Sequence, residues 1–264
     1  MSEPLIVVDR ITFAYPGAAK PVFENFSFQL GSDDHLGLIG PNGSGKTTLL
    51  HLIMGLLRPQ AGRIVIFGRE VRTEKDFVPV RRQIGLLFQN ADDQLFCPTV
   101  LEDVAFGPLN LGKTPAEARE IALATLERLG LAGFADRVTY KLSGGEKRLV
   151  SLATVLAMQP RVLLLDEPTT GLDEKTKHRL IHLIQDLHIP FIIVSHEPDF
   201  LHHTVHNCCH LHLDHCEIKP IRLEEVYHEK DKLADRGPAS CCAGAPDFLV
   251  NGERHRAGGT GSGG

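Results

Sequence analysis

The segment GPNGSGKTT, Gly40 to Thr48, lies between the apolar run LGLI and the helix-like run LLHLIMGLL, and no other stretch constrains the chain so tightly. A strand must stop, the backbone must turn sharply, and a helix must begin. Glycines at 40, 43 and 45 permit the turn, and the consecutive N–H groups it exposes point at an anion at the positive end of the following helix. The spacing Gly-x4-Gly-Lys-Thr is that of a phosphate-binding loop. Gly40, Pro41, Asn42, Gly43, Ser44, Gly45 and Thr48 are therefore read as the nucleotide cradle, with Lys46 reaching the β and γ phosphates. Thr47 offers its hydroxyl to the accompanying Mg²⁺, which keeps most of its waters and takes short oxygen ligands.

A chain of 264 residues, 42% hydrophobic and 23% charged, can bury the core of one large α/β domain, with or without a subdomain. Its net charge of -5 argues against a surface dedicated to nucleic acid, so no nucleic-acid partner is expected. No apolar run reaches the roughly 20 residues that span a bilayer and no signal peptide opens the chain, so any membrane role must use a partner. Six cysteines, five of them beyond position 200, do not form the framework of a secreted domain, and a reducing cytosol is the expected compartment.

LIVVDRITFAY and VFENFSFQL alternate partially and predict an antiparallel hairpin from about Leu5 to Leu30. RIVIFG and IGLLF (Ile84 to Phe88) predict further strands, so the chain reads as strand-rich until Gln89. From Ala91 to Lys141 helical patterns take over, clearest in PAEAREIALATLERLGL, and predict an inserted helical subdomain at about 90–158. RVLLLDEP and PFIIVSH, separated by the helix EKTKHRLIHLIQDLH, read as parallel strands buried on both faces. A strand from Cys208 to Leu213 and a short one near Ile218 close the expected nucleotide-binding domain, 1–220. Residues 221–264 are expected to be a C-terminal extension with a flexible Gly-rich tail.

Asp166 and Glu167 close VLLLDEP, where a buried strand delivers two carboxylates to the edge of the phosphate site. Asp166 would hold Mg²⁺ through its water shell, and Glu167 would orient and polarise the water that attacks the γ phosphate. His196 ends the next strand, so adjacent parallel strands bring it to the same edge, within reach of the γ phosphate. Gln89, again at a strand end, could sense the metal and the attacking water. LSGGE, Leu142 to Glu146, opens an apolar helix with Ser143 as N-cap and Gly144 and Gly145 permitting close approach, a second anion site. Two such helix starts with one lysine-bearing loop suggest a dimer in which each LSGGE closes over the other chain's nucleotide.

Tyr15, GPNGSGKTT, Gln89, LSGGE, LLLDEP, TGLD (Thr170 to Asp173) and His196 occur in the order and approximate spacing of the ATP-binding-cassette (ABC) ATPases, which the chain resembles from about Leu5 to Pro220. That resemblance implies a RecA-like parallel-sheet core with an N-terminal antiparallel β subdomain and an inserted helical subdomain, and two cassettes sandwiching two ATP molecules. It implies that Tyr15 stacks on adenine, that Lys46, Thr47, Gln89 and Asp166 serve phosphate and Mg²⁺, and that Glu167 is the general base. His196 would hold the γ phosphate, Ser143 and Gly145 would reach the opposite ATP, and Asp173 would link the two sites. With Glu167, His196 and LSGGE all intact, a symmetric pair is favoured, and a heterodimer with a related chain stays open.

Phe88 to Gly112 resembles the ATPases of energy-coupling factor importers, including the cobalt and nickel type. The resemblance implies a cytoplasmic-face, peripheral ATPase working with a transmembrane coupling protein and a substrate-binding membrane component. It makes Asp92, Asp93, Gln94 and Phe96 candidates for docking contacts. The alternatives are a vitamin or an amino acid as cargo, and a soluble non-transport cassette acting on nucleic acid or ribosomes. HHTVHNCCHLHLDHC, His202 to Cys216, carries metal-ligand residue types, with Cys208, His210 and His212 on one face of the expected strand. Ligands about 7 Å apart at i and i+2 cannot share one ion without return ligands such as His215 and Cys216. A metal site and an ordinary terminal hairpin both remain open.

Overall fold

The computed structural model describes residues 4–211 and 218–221. The first two expected strands form: β1 (Ile6–Phe13) and β2 (Phe23–Leu30) pair antiparallel, with Ile6 opposite Leu30 and Phe13 opposite Phe23. Ile6 and Val8 face the core, and so do Ile11 and Phe13. The break in strict alternation falls where the register shifts between Val8 and Ile11 and Arg10 takes φ 48°, a bulge that returns the later residues to the buried face. β4 (Ala61–Ile66) pairs with the other edge of β1, and β5 (Arg69–Val71) pairs with β4. The resulting sheet has the order β2-β1-β4-β5.

A second sheet carries β3 (His35–Ile39), β6 (Ile84–Leu87), β7 (Val162–Asp166), β8 (Phe191–Val194), β9 (Asn207–Leu211) and β10 (Ile218–Ile221) in the order β10-β9-β3-β8-β7-β6. Its first five-strand run, β9 through β6, is parallel, and β10 adds an antiparallel edge. Alternation along β7 divides the core: Val162 and Leu164 pack toward the antiparallel sheet and α1 (Lys46–Ile53), while Leu163 and Leu165 pack toward the helices on the other face. Each such aliphatic side chain, fully buried, contributes roughly 1.5–3 kcal/mol. Both sheet faces are therefore covered, as the continuous apolar runs required.

Helices α3 (Val100–Asn110), α4 (Pro115–Arg128) and α5 (Gly144–Leu156) are inserted between β6 and β7. All three start at a capping box, Thr99 with Glu102, Thr114 with Glu117 and Ser143 with Glu146, so two orphan amides are satisfied reciprocally at each start. After β7 come α6 (Glu174–Gln185), capped by Asp173, then β8 and α7 (Pro198–Thr204).

The strand-rich reading up to Gln89 is corrected in one place: α2 (Glu74–Arg81) lies between β5 and β6. It buries Phe77 and Val80, one turn apart, and Pro79 in its interior obscures the helical pattern. The expected final strand ends, among the described residues, at Leu211. His212, His215, Cys216 and the extension beyond 221 lie outside them.

Candidate functional site

Gly40, Gly43 and Gly45 have φ of 149°, 78° and 98°, conformations that an L side chain resists. At two of them space is also closed. A Cβ on Gly40 would stand 2.4 Å from the Leu211 carbonyl oxygen, and one on Gly45 would stand 2.7 Å from Val22 Cγ1 and 2.8 Å from Phe23 Cζ. The loop is thus seated between the end of β9 and the antiparallel sheet. Gly45 caps α1 without a side-chain bond, which leaves the helix start open to an anion. Lys46 Nζ donates to the Gly40 and Pro41 carbonyls at 2.8 and 3.0 Å. Burial pulls its pKa below the ordinary lysine value, while Glu167 and Asp166 oppose the shift. Ser44 is buried behind the loop with its Oγ unpartnered.

At the carboxyl end of β7, Asp166 Oδ2 accepts a 2.7 Å hydrogen bond from Thr47 Oγ1, and its buried Oδ1 has no hydrogen-bond partner. Burial raises the Asp166 pKa, opposed first by the Thr47 hydroxyl. Glu167 sits at φ 48°, with its N–H donated to the Val194 carbonyl at 2.9 Å. Its carboxyl is pushed up to about 7, first by burial and then by the neighbouring Asp166 charge. His196 Nε2 approaches Glu167 Oε1 to 3.3 Å, yet that oxygen has no hydrogen-bond partner. Burial, then Lys46, lowers the His196 pKa, which disfavours the imidazolium beside Glu167.

Together these strand ends and the loop line a cavity of 560 Å³ that also includes Tyr15, Asn42, Thr48 and Gln89, a size that suits a nucleotide. Tyr15 stands edge-on to Phe13, with centroids 5.0 Å apart, and its hydroxyl lies 3.0 Å from Thr48 Oγ1. A threonine hydroxyl beside a carboxylate with one unpaired buried oxygen is an all-oxygen donor set, which fits Mg²⁺.

Ser143, Gly144, Gly145 and Asp173 do not line this cavity. Ser143 caps α5, Asp173 Oδ1 accepts from the Thr176 N–H at 2.8 Å, and a Cβ on Gly145 would stand 3.2 Å from the Gly171 carbonyl oxygen. The LSGGE and TGLD segments thus adjoin one another, apart from the Lys46 cavity of their own chain.

Two features escape the sequence. His51, on α1, is drawn below its ordinary pKa by burial, with Asp166 opposing. Arg148, on α5, is buried and donates to the main-chain carbonyls of Phe88, Asp166 and Glu167. Nothing in KRLVSLATVLAM marks which of two adjacent cations turns inward. Among the expected docking residues, Phe96 is 67% exposed and packs edge-on against Phe106, while Asp92 pairs with Lys147 Nζ at 2.6 Å. Gln94, half-buried, also makes structural bonds. Its amide is consumed by the Phe88 N–H, the Ser151 carbonyl and Thr154 Oγ1, at 3.1, 2.8 and 2.8 Å.

The His/Cys strand carries Cys208 and His210 buried on one face, with Cys208 Sγ only 2.9 Å from where a Gly37 Cβ would lie. Burial pushes the Cys208 thiol up to about 11 and Cys209 up to about 12, unlike metal-ready thiolates. Among the described residues no three His, Cys, Asp or Glu side chains are grouped to hold a metal ion.

Residues 23–170 match the ABC transporter family. A putative ABC transporter ATP-binding protein of Nitratidesulfovibrio vulgaris is 56% identical over 202 residues, 76% of this chain and 74% of its own. The cobalt import ATP-binding protein CbiO of Rhodobacter capsulatus is 45% identical over 185 residues, 70% of this chain and 66% of its own. Among solved structures, the ATP-binding cassette MJ0796, dimeric and bound to ADP and Pi, superposes with a TM-score of 0.76 at 25% identity over 83% of this chain and 98% of its own. The chain belongs to the ABC transporter family, as an ATP-binding subunit whose hydrolysis of ATP is coupled to transport.

Proposed function

We propose that two copies of this chain bind ATP with Mg²⁺ between them and power an energy-coupling factor type importer for cobalt or nickel ions from the cytoplasmic face of the membrane. The observation that carries the catalytic part is the convergence of Lys46, Thr47, Gln89, Asp166, Glu167 and His196 on one cavity. In this reading Tyr15 stacks on adenine, the loop amides and Lys46 hold the β and γ phosphates, and His196 contacts the γ phosphate. Thr47, Asp166 and Gln89 would hold Mg²⁺, which when bound neutralises charge on the phosphates. Glu167, ionised, accepts a proton from the attacking water as its oxygen bonds to the γ phosphorus and the bond to the ADP oxygen breaks.

The dimer is supported by the position of Ser143, Gly144, Gly145 and Asp173 outside their own chain's cavity, and by the dimeric MJ0796 cassette. Among the described residues no helix is long and apolar enough to cross a membrane, which supports a peripheral subunit with membrane partners. A docking surface for those partners is available in a 280 Å³ apolar groove that includes Met54, Leu86, Phe88, Phe96, Phe106 and Met158. It adjoins the segment that resembles energy-coupling factor ATPases, and the cobalt cargo is supported by the likeness to CbiO.

The test is to isolate the detergent-solubilised complex formed by this subunit, reconstitute it, and measure ATP-driven uptake of Co²⁺, Ni²⁺ and vitamins. Metal uptake that needs both ATP and this subunit is expected. Vitamin uptake without metal uptake refutes the cargo, and the absence of any membrane partner refutes the importer.

A further inference from the structure

We infer that Arg148 is a positioning residue for hydrolysis: its guanidinium fixes the ends of β6 and β7 to the start of α5 and so sets where Gln89 and Glu167 stand. The inference rests on the reading of Glu167 as general base. Arg148 is 3% exposed. Its two terminal nitrogens donate to main-chain oxygens, the carbonyls of Phe88 and Glu167 and, at 2.8 Å, that of Asp166, while its buried Nε has no hydrogen-bond partner. A guanidinium offers five N–H groups in a fixed fork, which is why one side chain can bridge two strand ends at once.

The bridge falls at a strained point of the backbone. Glu167 occupies a left-handed conformation, φ 48°, which a side chain of its size adopts only when its surroundings over-determine it. Three bonds do so: the Glu167 N–H to the Val194 carbonyl at 2.9 Å, the Thr170 N–H to the Glu167 carbonyl at 3.2 Å, and Arg148 to that same carbonyl. The carbonyl of Phe88, which Arg148 also holds, belongs to the peptide that joins Phe88 to Gln89. Arg148 therefore touches the backbone beside both residues that face the attacking water, and touches neither side chain.

Its place on α5 adds a link between segments. α5 begins at Gly144, directly after Ser143, and Lys147, the neighbour of Arg148, pairs with Asp92 at 2.6 Å. One turn of helix is thus tied to the LSGGE segment, to the loop after Gln89 and to Glu167. Movement of α5 on closing over a nucleotide would be delivered to the Glu167 backbone by Arg148.

R148K keeps the charge and loses the fork. It is expected to lower kcat about 100-fold, the scale set by displacing a reacting group by about 1 Å, while KM for ATP changes less than about threefold. Hydrogen exchange should accelerate over residues 166–170 and stay unchanged in α1, with nucleotide-dependent melting retained; R148Q, which lacks the charge, should behave alike. The decisive comparison is with E167Q. Once the base is gone its placement no longer matters, so R148K added to E167Q, read on the residual rate, should cost far less than the about 100-fold it costs alone.

Near-normal kcat in R148K overturns the inference, and so do losses that multiply in the double variant or exchange that accelerates throughout the chain. If E167Q alone hydrolyses ATP normally, the base assignment falls and this inference falls with it. If E167Q is inactive and R148K is not, only the role of Arg148 is lost.

Discussion

The raised pKa of Glu167 makes a quantitative prediction about hydrolysis. A carboxyl pushed up to about 7 is about 90% ionised at pH 8 and about 10% ionised at pH 6, whereas an ordinary glutamate near 4.3 is ionised at both. If the ionised form is the base, kcat/KM for ATP, which reports the free subunit, should fall roughly tenfold between pH 8 and pH 6. The assay is phosphate release at limiting ATP with free Mg²⁺ held constant, alongside ATP binding over the same range to separate loss of affinity. A flat profile down to pH 6, with binding unchanged, would refute the argument that desolvation of Glu167 sets the operating range.

The same shift has a stability consequence of definite sign. The folded state holds the Glu167 proton more tightly than the unfolded chain, whose value is near 4.5, so folding is penalised as pH rises from about 4.5 through about 7. Glu167→Gln removes that penalty. Without nucleotide, the variant should melt above the wild type at pH 8, with most of that gap closed at pH 5. Equal melting at both would show that the carboxylate is not desolvated.

Gly40→Ala should abolish ATP binding and destabilise the fold by about 1–3 kcal/mol, since its Cβ would meet the Leu211 carbonyl oxygen at 2.4 Å in a conformation already strained. Gly43→Ala, with nothing within 4 Å of the new Cβ, bears only the backbone cost of about 1–2 kcal/mol. Equal losses in binding and thermal melts would contradict the steric argument. Joint replacement Phe96→Ser and Phe106→Ser should leave the ATPase of the isolated subunit intact and abolish co-purification with the membrane partners; loss of both would move these residues out of docking.

The phosphate loop was legible because glycine at 40, 43 and 45 is a direct statement about φ, and the structure places all three at positive values. Asp166 and Glu167 were legible because a five-residue buried strand can end in two carboxylates only where something outside the strand receives them. α2 was not, because Pro79 interrupts a short pattern whose register depends on Phe77 and Val80 meeting the core. Arg148 was invisible for a related reason. Its partners are carbonyls far away in sequence, and carbonyls carry no residue identity. The three hydrogen bonds of Gln94, two of them to α5, were illegible likewise, because tertiary structure fixes them.

The central claim is that two of these chains close on ATP, with Lys46 of one and LSGGE of the other forming each site, and that Glu167 reopens them by hydrolysis. Sedimentation of Glu167→Gln with ATP and with ADP tests it most directly. The account predicts that ATP with Mg²⁺ converts the 29.0 kDa chain to a stable dimer, that ADP does not, and that the variant hydrolyses ATP at least about 100-fold more slowly than the wild type. A Glu167→Gln chain that stays monomeric with ATP, or that hydrolyses it at the wild-type rate, would contradict the account.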